Sequence, residues 1–244
     1  MESLRPDRLF EDPLAAWFVA AEPDTEPRPT TPDPRRIALG RRLVIRTRFF
    51  DELLLSAAQT CPQVVILGAG LDARAFRLAW PRGTRVFELD QPDMLSWKQQ
   101  LLDSSGVEPR CQRITVPTDL RTDWSAALGG AGHDPEVPTS WLAEGLLVYL
   151  PGPVVEQLLR DLTARSPAGS RLGLTVRLEA NAAPTTALGQ LWISTAPEDA
   201  PRWLRDHGWA PTFHRYGDLG SSYGRSEWAD LKGSGLVEAE RLTP

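Results

Sequence analysis

The chain has 244 residues, a formal net charge of −5 and a pI of about 5.3, with 41% hydrophobic and 24% charged residues. That length buries one good core and is short for two, and the acidic balance argues against a duplex-binding face, which is usually basic. No apolar run has the ~18 residues of a membrane span, and the sequence shows no N-terminal apolar run with a cleavage site, so a soluble, cytoplasmic protein without nucleic-acid or membrane partners is expected.

The opening MESLRPDRLFEDPLAAWFVAA enters a helix almost at once, with Pro13 in its first turn and Leu14, Trp17 and Phe18 on one face. A proline-rich loop over 22–34 follows, too rich in proline for helix or central strand. RRIALGRRLVIRTRFFDELLLSAA is one or two amphipathic helices, basic along one side. From Cys61 onward strand and helix signals alternate. QVVILGAG is a buried strand, LDARAFRLAW starts a helix, and TRVFELD is a second strand. QPDMLSWKQQLLDSSG is a helix with Pro92 near its start and Gly106 after its end. CQRITVPTDL, the short helix TDWSAALGGAG, the strand TSWLAEGLLVYL, the helix PGPVVEQLLRDLTARSPAG and the strand SRLGLTVRLE continue the pattern. Short links between alternating strands and helices predict a parallel sheet covered on both faces, with right-handed crossovers. Past Glu179 the pattern weakens to a helix, a Gly208 stop and a strand in PEDAPRWLRDHGWAPTFHR, then a terminal strand in LVEAERLTP. The domain divides into a helical cap over 1–60, a core over 61–179 and a pocket segment with C-terminal strands over 180–244. Cys61 and Cys111 stand far apart, without metal-ligand spacing, and are expected to be free thiols.

Chemistry concentrates at the first strand-to-helix turn. Gly68 and Gly70 let a ligand pass close to the backbone, and a helix N-terminus offers free N–H donors. Roughly 20 residues on, Glu88 and Asp90 end the second strand, where an acid meets ribose hydroxyls in nucleotide-binding βα units. Glu88 is equally readable as a solvated strand-end acid. Two ligands fit this turn, a dinucleotide or S-adenosylmethionine. Asp72, inside the turn, is a poor neighbour for a dianionic pyrophosphate and tolerable beside a sulfonium, which favours S-adenosylmethionine. One strand later, Asp119 and Leu120 lie where an adenine amino group and ring could be met. Asp119 also has the alternative of capping the helix at TDW.

Taken together, RTRFFD, VVILGAGLDARAFRL, VFELDQP, DLRTDW and PTSWLAEGLLVYLP resemble the leucine carboxyl methyltransferase family, in particular its bacterial branch, from about Arg8 to Glu179. The resemblance implies a class I methyltransferase (Rossmann-like) α/β fold: a doubly wound, mostly parallel seven-stranded sheet with the last strand antiparallel and a helical N-terminal lid. It implies S-adenosyl-L-methionine as cofactor and assigns roles. Arg46 corresponds to the arginine that pairs with the cofactor carboxylate, with Arg48 as the alternative register. Gly68 and Gly70 correspond to the methionine-side turn, Asp90 to the ribose acid, and Asp119 and Leu120 to the adenine contacts. Glu144 corresponds to an acid near the sulfonium and amino group, and Tyr149 falls beside the acceptor cavity. The chain departs from the family in two places: a helical stretch that precedes RPDRLFEDPLA in the family is largely missing, and the segment after Glu179 is short.

The reaction so implied is O-methylation of a carboxylate or a phenolic hydroxyl of a small molecule, in bacterial secondary metabolism, with a peptide or protein C-terminal carboxylate as the alternative acceptor. A carboxylate needs no base and a phenol does. Tyr149 and His133 are the catalytic candidates; His207, in LRDHGW, reads as a helix C-cap, and His214 completes the histidines. Trp141, Trp192, Trp203 and Trp209 cluster toward the pocket side, with Trp192 the candidate for the acceptor site. An NAD(P)-dependent oxidoreductase is the reading of another class, without a YxxxK pair to support it. A non-catalytic cofactor-binding module is a third. Monomer and homodimer are both open.

Overall fold

A computed structural model describes residues 2–21, 33–177, 200–228 and 234–243. The proline-rich loop up to residue 32 and Trp192 lie outside the described residues. Seven strands form one sheet: β1 (Gln63–Leu67), β2 (Arg85–Asp90), β3 (Gln112–Pro117), β4 (Thr139–Ala143), β5 (Arg171–Arg177), β6 (Trp209–Arg215) and β7 (Ser234–Arg241). Their order is β3-β2-β1-β4-β5-β7-β6. Every neighbouring pair among the first five is parallel, and β7 runs antiparallel to both β5 and β6. The order reverses between β1 and β4, so the carboxyl ends of these strands open a crevice, the usual ligand position of a doubly wound sheet.

The helices are α1 (Ala15–Ala21), α2 (Pro34–Ala57), α3 (Arg74–Arg77), α4 (Pro92–Ser105), α5 (Trp124–Gly130), α6 (Gly152–Ala164), α7 (Ala200–Asp206) and α8 (Tyr216–Ser222). α2 is one continuous helix, and Pro34 opens it instead of closing the proline loop, since the first helical position has no N–H to lose. β1 is buried on both faces and its side chains alternate between two cores. Val65 and Leu67 pack with α5, α6 and α7, while Val64 and Ile66 pack with α1, α2, α3 and α8. A central parallel strand must be apolar on both faces to do this. Leu14 and Phe18 of the N-terminal segment are buried, whereas Trp17, expected beside them, is about half exposed. Among the described residues, no helix is long and apolar enough to cross a membrane.

Trp141 and Trp209, on the side expected to face the pocket, are core residues, and Trp203 packs partly buried against the same core. Trp141 on β4 is fully buried edge-on to Trp124. Trp209 fills the same core, its indole N–H donating to Thr163 Oγ at 3.0 Å. Trp203 stacks on His207 at 3.7 Å. Large apolar rings fill the gap between sheet and helices, and that burial outweighs any role in lining an open site.

Candidate functional site

β1 ends at Leu67, and the chain turns through Gly68 (φ 63°) and Gly70 (φ 42°), both in the left-handed region that glycine tolerates. A Cβ at Gly68 would come within 2.8 Å of Leu146 Cδ1, so a side chain there would displace that leucine and strain the left-handed backbone. Asp90, at the end of β2, fixes the turn: its carboxylate accepts from the Gly70 N–H and from the Gln91 N–H, each at 2.7 Å. The turn, Arg46 of α2 and Glu144 after β4 surround a cavity of about 280 Å³, together with Asp72 and Arg74. Arg46, Gly68, Gly70 and Glu144 are thus brought together from three separate stretches of sequence.

The cavity wall is an ionic network. Arg46 Nε donates to Glu144 Oε1 at 2.6 Å. Arg74 Nη2 lies 2.8 Å from Glu144 Oε2 without hydrogen-bond alignment, so that contact is coulombic. Arg74 Nε donates to Asp51 at 2.7 Å and Nη1 to Asp72, while Arg77 grips Asp51 through both Nη atoms at 2.6 and 2.7 Å. Burial disfavours a charged Arg74, but Asp72, Glu144 and Asp51 outweigh it and hold the guanidinium well above its usual range. Burial also pushes the Asp72 carboxyl up; Arg74 and Lys98 outweigh that and hold it below the usual carboxylate range. A free Asp72 charge would disfavour a pyrophosphate at this turn. Here Arg74 compensates that charge, so the contrast loses much of its force.

Other sequence candidates lie elsewhere. Glu88 is neither a ribose acid nor a solvated one: it is fully buried, 2.8 Å from Lys98 Nζ and 2.8 Å from Arg113 Nη2. Asp119 follows β3 and pairs with Arg121 at 2.5 Å, a bond that lowers its carboxyl below the usual value. The helix after it is capped by Asp123, whose carboxylate accepts from the Ala126 N–H, so the capping alternative for Asp119 goes to its neighbour. Leu120 beside it is buried. Neither residue lines the 280 Å³ cavity. Arg48 points away from it, to Glu52 and the Leu9 carbonyl, which leaves Arg46 as the arginine of the cavity. Tyr149 ends a short 3₁₀ turn, Leu147–Tyr149, and is 39% exposed, outside the cavity wall.

His133 is misplaced for catalysis. It is buried beneath the first residue of β4, with Nε2 3.0 Å from Thr139 Oγ, at the opposite end of the strand from Glu144. Burial, with Arg165 nearby, lowers its pKa to about 4. His207 Nδ1 meets the Trp203 carbonyl at 2.8 Å, at the end of α7, and His214 on β6 pairs with Glu238 at 2.9 Å. Among the described residues no histidine lines the cavity. Sequence reading missed Arg74, Arg77 and Asp51. The one signal for them is an acid in the apolar second half of α2, because a buried acid there needs a cation.

The set fits an amino-acid-bearing nucleoside. Arg46 is 24% exposed at the cavity and suits a carboxylate, Glu144 offsets positive charge, and the glycine turn brings backbone to the cavity wall. A model of the family described as leucine carboxyl methyltransferase matches residues 1–163. A protein of Streptomyces avermitilis, provisionally named an S-adenosyl-L-methionine-dependent methyltransferase, is 46% identical over 238 residues, covering 92% of this chain and 84% of its own. A Streptomyces coelicolor protein of the same provisional name is 45% identical over the same shares. Among solved structures, a DUF574 family protein from S. avermitilis superimposes with a TM-score of 0.61 at 16% identity, covering 83% of each chain. Magnesium protoporphyrin IX methyltransferase from Synechocystis, solved with S-adenosylhomocysteine, gives 0.54 at 14% identity, over 88% of this chain and 90% of its own. At such identities the likeness shows the fold.

Proposed function

The chain belongs to the leucine carboxyl methyltransferase family and is an S-adenosylmethionine-dependent methyltransferase, and from that premise we propose that it methylates oxygen, on a carboxylate or phenolic hydroxyl of a small molecule in bacterial secondary metabolism. The observation that carries this reading is the cavity between β1 and β4, where the partly open Arg46, the Glu144 carboxylate and the glycine turn meet.

S-adenosylmethionine supplies an electrophilic methyl group on a sulfonium. The protein's part is to hold, orient and desolvate. Arg46 is the group for the carboxylate of the methionine moiety, and Glu144 offsets the positive charge beside it. Asp90 presents carboxylate oxygens whose remaining lone pairs are free for ribose hydroxyls after the two backbone N–H bonds are made. Asp119 and Leu120 stand one strand further, on the adenine side.

The acceptor oxygen must arrive anionic or lose a proton on the way. A carboxylate satisfies this without help, and a phenol needs a base. Buried Tyr216, which feels Arg46 and Glu144, has its own phenol pushed up to about 12 by burial, so it stays protonated and is no base near neutrality. The described cavity wall of arginines and acids therefore favours a carboxylate acceptor.

Transfer of a tritiated methyl group to a panel of aromatic carboxylic acids, phenols and a peptide with a free C-terminus tests this. A methyl ester releases methanol in mild alkali and a methyl ether does not. Alkali-labile label on a carboxylic acid is the expected result. Label found only on nitrogen or carbon would overturn the O-methylation reading, and label on the peptide alone would reassign the acceptor.

A further inference from the structure

Arg74 sits in α3, just past the glycine turn, with its side chain 4% exposed. Its guanidinium is shared by three carboxylates from three parts of the chain: Asp51 of α2, Asp72 of the turn and Glu144 after β4. Glu144 in turn stands between two arginines. Oε1 accepts from Arg46 Nε at 2.6 Å, and Oε2 faces Arg74. A carboxylate with one guanidinium partner tends to close on it through two parallel bonds. Here Glu144 spends only one oxygen on Arg46. The Nη1 of Arg46 lies against Gly145, 3.2 Å from where a Cβ would stand, and among the described residues Nη1 and Nη2 donate to nothing.

We propose that Arg74 is a positioning residue for cofactor capture: by holding Glu144 from behind, it keeps that carboxylate from closing on Arg46 and leaves the outer edge of Arg46 for the cofactor's carboxylate. The planar fork is what allows this. Three carboxylates meet three different nitrogens of one guanidinium, whereas an ammonium is a compact point charge that cannot serve all three in one plane. The inference rests on reading the cavity as the site of the methionine moiety.

The test is a double-mutant cycle read as S-adenosylhomocysteine affinity by calorimetry, on the wild type, Arg74→Lys, Glu144→Gln and the double variant. Arg74→Lys should lower affinity roughly tenfold, and the same substitution in the Glu144→Gln background should cost less than about twofold, because no carboxylate is left to capture Arg46. An equal loss in both backgrounds, or no loss in the wild-type background, would make Arg74 a scaffold residue and overturn the proposal. Melting curves accompany each variant, and Arg74→Gln repeats the cycle should the lysine variant not fold. A wild-type protein that binds no S-adenosylhomocysteine would instead overturn the reading of the cavity, independently of the cycle.

Discussion

Lys98 and Glu88 are fully buried and 2.8 Å apart, and Lys98→Met probes what that pair does. The substitution roughly preserves volume and removes one of the two cations that face Glu88. The other, Arg113, stays within 2.8 Å. Breaking a buried ion pair from one side costs about 3–5 kcal/mol because a charge is left stranded. With Arg113 still in place the lower figure applies, about 3 kcal/mol. For a chain of this size that is about 6–12 °C in Tm. Urea and thermal unfolding read the effect directly. A Lys98→Met protein within about 1 kcal/mol of the wild type would refute the reasoning.

Gly68→Ala places a Cβ at φ 63° and 2.8 Å from Leu146, so calorimetry should show S-adenosylhomocysteine affinity falling about tenfold or more, and an unchanged affinity would count against the turn as a cradle. His133 has a folded pKa near 4, below its unfolded value of about 6.5, so protonation favours the unfolded chain. Its contribution is fully present above pH 6.5 and is lost as pH falls toward 4, on the order of 3 kcal/mol, and His133→Gln should flatten that part of the stability–pH curve. Arg225 donates to Asp7 at 2.6 Å and is buried, so Arg225→Ala should cost about 1.5–3 kcal/mol and free the N-terminal segment. Limited trypsinolysis after Arg8 would then quicken, and an unchanged cleavage rate would contradict it.

The central strand β1 was legible because VVIL is a short apolar run, the usual pattern of a parallel strand buried on both faces. The glycine turn and the acid after β2 were legible for a local reason: turn chemistry and strand ends are written within a few residues. The ionic network was not. Arg74 reads as an ordinary surface arginine in DARAF, and its partners Asp51 and Glu144 lie 23 residues before it and 70 after it, a pairing that only the crossovers create. Helix α3 is also shorter than LDARAFRLAW suggests, because Leu78 turns to an extended conformation (ψ 147°) and Pro81 follows. Glu88 carried a usable signal: Lys98 stands in register with Leu95 and Leu102 on the buried face of α4, and a lysine at a core position requires an acid. Trp141 and Trp209 were ambiguous because a large aromatic residue reads the same in a core and at a pocket rim.

Calorimetric titration of S-adenosylmethionine, S-adenosylhomocysteine and NADH into the purified protein, with Asp90→Ala as control, tests the account at its centre. Micromolar binding of the first two, lost in Asp90→Ala and absent for NADH, is the expected result. Binding of NADH alone would contradict both the cofactor and the chemistry assigned to the cavity.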